Sequence, residues 1–196
     1  YMKCENLQLT GAYKIRGALN KIRSLSDEDK AKGVVCSSAG NHAQGVAFAA
    51  SQANVKSTIV MPKTTPLLKI QSTKDLGGNV VLSGYVYDDA FNEAKRIEQE
   101  QGALFIHPFN DIDVICGQGT VALEIFEDLK DVDVILCPIG GGGLISGVTL
   151  AAKALNPNVK VIGVQAEGAN AMVKSFKAGE IIALDSVDTI ADGIAV

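Results

Sequence analysis

The sequence predicts an α/β protein with a largely parallel sheet, and three observations carry that expectation. From Val34 onward, short β-branched or apolar runs alternate with longer stretches whose apolar residues recur at helical spacing. Every short run is followed by such a stretch, as parallel strands require, because their ends can be joined only by a crossover. There is no repeat, no low-complexity segment and no linker rich in Pro, Ser or Gly, so two domains, if present, are joined by chain that crosses between them in passing.

Taken in order, a helix over Lys14 to Leu25 precedes the first strand. The predicted strands are Val34 to Ser37, Ser57 to Met61, Asn79 to Leu82, Leu104 to Ile106, Val132 to Pro138 and Val159 to Gln165. The helices that follow them are Asn41 to Ala53, Pro66 to Leu76, Tyr87 to Gln101, Gly119 to Leu129, Leu144 to Leu155 and Ala169 to Ala178. Thr65-Pro66 reads as a cap with proline at the first helical position, and Gly33 and Gly102 stand just past helix ends.

Composition narrows the function classes. The 196 residues are 47% apolar and 20% charged, ordinary for a soluble globular protein. A net charge of −4 and few aromatics argue against a nucleic-acid partner, which calls for a basic patch. The longest uncharged run, Val134 to Ala152, is broken by Pro138 and by Gly140 to Gly143, so it reads as strand, loop and helix rather than a membrane span. Cys4, Cys36, Cys116 and Cys137 are widely spaced and fit thiols of a cytoplasmic protein. With only His42 and His107 beside them, no metal site is expected. Tyr1 to Thr10 carries charges and reads as no signal peptide, and an opening of Tyr1-Met2-Lys3 reads as a piece of a longer chain.

Three segments could carry chemistry. Gly140 to Gly143 join an apolar strand to a helix; backbone without Cβ atoms can approach a ligand closely, and a helix N-terminus offers unpaired N–H groups to an anion. A phosphate site follows, against the alternative of a flexible surface turn. Leu144-Ile145 stands where a P-loop needs Lys-Ser/Thr, which argues against nucleotide hydrolysis. The looser Gly141, Gly143, Gly147 spacing, with Glu167 about 20 residues on, keeps an NAD-binding oxidoreductase as an alternative. The turn Ser37-Ser38-Ala39-Gly40-Asn41-His42-Ala43-Gln44-Gly45 presents amides and short polar side chains that suit a carboxylate, or else simply cap the helix. Lys14, within Gly11-Ala12-Tyr13-Lys14-Ile15-Arg16-Gly17, would by itself be read as a solvated charge.

In this order the three segments resemble the fold type II, tryptophan-synthase β-like, pyridoxal-phosphate enzymes, and within them the threonine (serine) dehydratase family, with serine racemase as near kin. The family's Gly-Ser-Phe-Lys-Ile-Arg-Gly motif is matched around Lys14, with Ala12 and Tyr13 as departures; its Ser-x-Gly-Asn-His-x-Gln-Gly loop is matched by Ser38 to Gly45, and its tetraglycine loop by Gly140 to Gly143. Pro108-Phe109, Gly117-Gln118-Gly119-Thr120 and Ala191-Asp192-Gly193 extend the resemblance over essentially the whole chain.

The resemblance implies two open, twisted, mostly parallel sheets flanked by helices, incomplete at both ends, with 1–33 and 117–196 in a large cofactor domain and 34–116 in a small α/β domain. It implies pyridoxal 5'-phosphate bound as a Schiff base on Lys14, its phosphate held by Gly140, Gly141, Gly142, Gly143 and Leu144, its ring hydroxyl by Asn41 and one ring face by Tyr13. Ser38, Ala39, Gly40, Asn41 and His42 would grip the carboxylate of a small amino-acid substrate. Lys14, once displaced, would act as base, and loss of the β-hydroxyl of L-threonine or L-serine would give 2-oxobutyrate or pyruvate with ammonia. In the racemase kin a serine before Gly-Asn-His acts as second base; here that place is Ala39, which favours one-sided elimination. Their two cation-binding carboxylates would fall at Glu167 and Val173, so no metal is expected. A homo-oligomer, dimer or tetramer, follows by analogy.

Overall fold

The computed structural model describes residues 1–195, so that Val196, the last residue of the predicted 117–196 segment, lies outside the described residues. The chain divides into two compact units, Tyr1–Gly117 and Gln118–Val196.

The first unit carries α1 (Lys14–Ser24), α2 (Asp27–Lys32), β1 (Val34–Ser37), α3 (Asn41–Gln52), β2 (Ser57–Met61), α4 (Leu67–Asp75), β3 (Asn79–Leu82), α5 (Tyr87–Gln101) and β4 (Leu104–Phe105). Its strands pair in parallel in the order β3-β2-β1-β4, with Val35 beside Thr58 on one side and Phe105 on the other. β1 and β2 are buried at every position, because helices cover both faces of the sheet. Alternate residues point to opposite sides: Val34, Cys36, Ile59 and Met61 meet Ala18 and Ile22 of α1 and Val46 and Ala50 of α3, while Val35 and Val60 meet Ala90, Ala94 and Ile97 of α5. Runs without polar alternation are what a doubly covered parallel sheet demands.

Among the departures from the sequence expectation, two concern the helices of this unit. α2 is an addition: Asp-Glu-Asp-Lys-Ala-Lys buries nothing and has no apolar period, but Ser26 Oγ accepts from the Asp29 amide at 3.1 Å and Gly33, at φ 81°, closes the helix. Pro66 lies in extended backbone ahead of α4 and is its N-cap, not its first helical residue, and Thr65 offers no side-chain cap.

α6 (Ile112–Asp128) contains the division between the units. It begins seven residues before the predicted Gly119, since Asp111 Oδ1 accepts from the amides of Asp113 and Val114 and caps it. Gly117 and Gly119 are contact points within it: a Cβ on Gly117 would come within 2.6 Å of the Gly17 Cα, and one on Gly119 within 2.9 Å of the Gly147 oxygen.

The second unit adds β5 (Val134–Pro138), α7 (Gly143–Leu155), β6 (Lys160–Val164) and α8 (Ala171–Ala178), the last preceded by a 3-10 turn at Glu167–Ala169. β5 and β6 pair in parallel from Val134 beside Lys160 to Pro138 beside Val164. Ile135 and Cys137 enter a core with Val121, Ala122, Val148 and Ala152; Val134, Leu136, Ile162 and Val164 are exposed. Among the described residues, no helix is long and apolar enough to cross a membrane.

Candidate functional site

Lys14 is the first residue of α1, just after a turn in which Gly11 takes φ 70° and donates its amide to the Gln8 oxygen at 2.8 Å. Its Nζ donates to the Pro108 carbonyl at 2.8 Å and stands 5.4 Å from the Tyr13 ring centroid. Among the described residues it has no carboxylate partner. Desolvation by burial pulls its pKa down from 10.5 to about 8, so roughly a tenth to a fifth of the amine is neutral near physiological pH, far more than for a solvated lysine.

The turn after β1 lies beside it. α3 crosses α1 at Gly45, where an added Cβ would sit 3.2 Å from the Lys14 carbonyl and the Ile15 amide. Only a glycine lets the two helices approach this closely. Ser38 Oγ accepts from the Gly40 amide at 3.2 Å, which folds the turn, and Gly40 is the N-cap of α3. The first amides of α3, from Asn41 onward, lack acceptors within the helix and are available to a carboxylate. Ala39 is partly buried against the first core and the Asn41 side chain is exposed.

His42 is buried, with Nε2 2.9 Å from the Ile106 oxygen. Since a carbonyl only accepts, Nε2 carries the proton. Burial, and then the nearby Lys14 charge, depress its pKa to about 3; the imidazole is neutral, and its role is to tie the turn to the segment after β4. Lys14 and His42 thus reach the same stretch of chain two residues apart, at Pro108 and Ile106. Neither carbonyl could be named from sequence, since a backbone oxygen has no residue signature; Pro108-Phe109 stood out only through the resemblance.

The glycine loop belongs to the second unit. Gly142, at φ 89°, is the N-cap of α7, and the amides of Gly143, Leu144 and Ile145 are left without acceptors in the helix. The loop is anchored by the Ile139 amide donating to Val164 O at 2.8 Å and by Gln165 Nε2 donating to Ile139 O at 3.3 Å. A Cβ on Gly142 would meet Met172 Cε at 3.3 Å, so the cradle is kept open by the missing side chain. Four glycines leading into free amides fit a phosphate monoester, and, in the other unit, a desolvated lysine amine fits an aldehyde; pyridoxal phosphate carries both groups. Glu167 starts the 3-10 turn and the Val173 amide donates to Gln165 Oε1. Among the described residues, no three His, Cys, Asp or Glu side chains gather as a metal site.

Comparison with known proteins agrees with this chemistry. The family described as pyridoxal-phosphate dependent enzyme matches residues 1–196. An L-threonine ammonia-lyase of Thermotoga maritima is 56% identical over 196 residues, all of this chain and 49% of the relative. Among solved structures, the processed form of threonine deaminase isoform 2 from Solanum lycopersicum superposes with a TM-score of 0.97 at 47% identity, covering 100% of this chain and 54% of that one. Maize serine racemase gives a TM-score of 0.96 at 46% identity, covering 99% and 59%. The chain spans about half the length of the curated relatives it matches.

Proposed function

Because the chain belongs to the pyridoxal-phosphate dependent enzyme family, we propose that it forms the catalytic core of a threonine ammonia-lyase, converting L-threonine, and L-serine, to 2-oxobutyrate or pyruvate and ammonia. One observation carries the reading: the Lys14 amine is desolvated, without a carboxylate partner among the described residues, and aimed by the Pro108 carbonyl.

Lys14 holds the cofactor through Nζ, Gly140, Gly141, Gly142, Gly143 and Leu144 receive its phosphate on backbone amides, Asn41 bonds the ring hydroxyl and Tyr13 packs beside the ring. Bound pyridoxal phosphate supplies an electron sink that makes the α-proton of an amino acid removable. Lys14 Nζ, whose pKa is lowered to about 8 so that its neutral form is within reach near physiological pH, takes that proton. Ser38, Ala39, Gly40, Asn41 and His42 hold the carboxylate, chiefly through the amides at the start of α3, and so fix which bond at Cα is broken. Ala39 has no proton to take or give, which supports elimination over racemisation. The match along the whole chain leaves the dinucleotide reading without a role for its glycines.

We extend the proposal to the whole protein: 1–33 and 117–196 contribute to a large domain and 34–116 to a small one, in a homo-oligomer in the cytoplasm, the last supported by four free cysteines. The test is the visible spectrum with pyridoxal phosphate, followed by borohydride reduction, peptide mapping and a 2-oxo acid assay. A reduced adduct on Lys14 with 2-oxobutyrate release is the expected result. Racemised serine without 2-oxo acid would point to the racemase kin, and a folded chain with no adduct on Lys14 would overturn the reading.

A further inference from the structure

The segment that leaves β4 is held unusually well for a connection. The Ile106 amide donates to Val35 O at 2.8 Å and the Ile106 carbonyl accepts from His42. Beyond it the chain folds around the imidazole of His107: the amides of Phe109 and Asn110 both donate to its Nδ1, at 3.2 and 2.8 Å. The carbonyl enclosed by this turn is that of Pro108, the acceptor for Lys14 Nζ. The ring is also braced by its neighbours, edge-to-face at 6.2 Å on Phe105 and at 4.7 Å on Phe109. Lys21 bonds Asp111 and Asp113 just downstream, closing the far end of the turn onto α1.

We propose that His107 is a positioning residue for Lys14, its unprotonated Nδ1 shaping the turn whose Pro108 carbonyl orients the Lys14 amine. An imidazole nitrogen that accepts two N–H groups has to be the bare one, so the ring works only while neutral. Its surroundings keep it so: burial lowers its pKa, Asp111 at the start of α6 acts in the opposite direction, and Lys14 of α1 and Lys95 of α5 lower it further; His42 of α3 also faces it and is itself neutral. The Pro108 carbonyl takes one hydrogen of the amine and thereby fixes where the lone pair points. The residue rests on the reading that Lys14 is the reactive amine, but its effect on that amine is measurable without cofactor or substrate.

The experiment compares the wild-type chain with His107→Asn and His107→Phe. Asparagine puts Oδ1 near the place of Nδ1; phenylalanine keeps the ring stacking and removes the acceptor. The readout is the pH midpoint of Lys14 acetylation by acetic anhydride, followed by peptide mass spectrometry in the absence of cofactor. A midpoint, unlike a rate, does not depend on how accessible the amine has become. His107→Asn is expected to keep the wild-type midpoint. His107→Phe, with the turn opened and Nζ hydrated, should move it upward, a neutral fraction about threefold smaller near pH 7 for each half unit. If the phenylalanine variant does not fold, His107→Gln, whose acceptor is displaced by one methylene, takes its place. An unchanged midpoint in the acceptor-free or displaced variant, or an equal shift in His107→Asn, would overturn the proposal. Failure of pyridoxal phosphate to form an adduct would sink the ammonia-lyase reading alone and leave these midpoints interpretable.

Discussion

Ile59 of β2 and Ile162 of β6 sit in parallel strands of similar composition, yet the first has no exposed surface and the second keeps 47% of its own. The difference lies in what covers each sheet. Helices lie on both faces of β1 and β2, so even the polar Ser57 and Thr58 are buried. β5 and β6 are covered on the Ile135 and Cys137 side only. Val134, Leu136, Ile162 and Val164 nevertheless are the residues of a strand buried twice. An apolar run reports what a strand is suited to, not how many neighbours it has.

The sharpest break of this comparison is chemical. Lys14→Ala, in the doubly covered unit, is expected to lower 2-oxo acid release by ~10²-fold or more, since a positioned base is worth roughly that, while circular dichroism stays unchanged. Ile59→Ala and Ile162→Ala make the same change in the two sheets. The first should cost about 2–5 kcal/mol in urea unfolding and the second under ~1 kcal/mol; equal costs would mean that the bare face of the second sheet is covered in solution. Gly142→Ala tests the second unit where it is constrained. With φ 89° the substitution should cost about 1–2 kcal/mol and weaken pyridoxal phosphate binding, read by titration of the visible band.

A pH dependence of the first unit completes the comparison. His42 has its pKa depressed from 6.5 to about 3 in the folded chain, so between these values the unfolded chain binds the extra proton. Stability should therefore be complete above pH 6.5 and fall as the pH drops toward 3. His42→Asn should flatten that slope, measured as the urea midpoint against pH.

Much of this was legible beforehand. The strands Val34–Ser37, Ser57–Met61 and Asn79–Leu82 and the helix Tyr87–Gln101 stand where periodicity put them, because burial and side-chain period are local properties of the chain. α2 was missed since a helix made of charges has a cap but no apolar face. α6 begins seven residues ahead of the expected Gly119, since its start is set by Asp111 capping the amides of Asp113 and Val114, a contact that side-chain period does not report.

The sequence by itself determined the α/β order, the glycine loop ahead of a helix and, through the motif around it, the choice of Lys14. Only the tertiary structure decided that Lys14 donates a hydrogen bond to the Pro108 carbonyl and that His107 and His42 are neutral braces rather than acids. A pattern of side chains encodes period and residue type, whereas a backbone carbonyl, a tautomer and a depressed pKa arise from which groups the fold brings together to exclude water from one another.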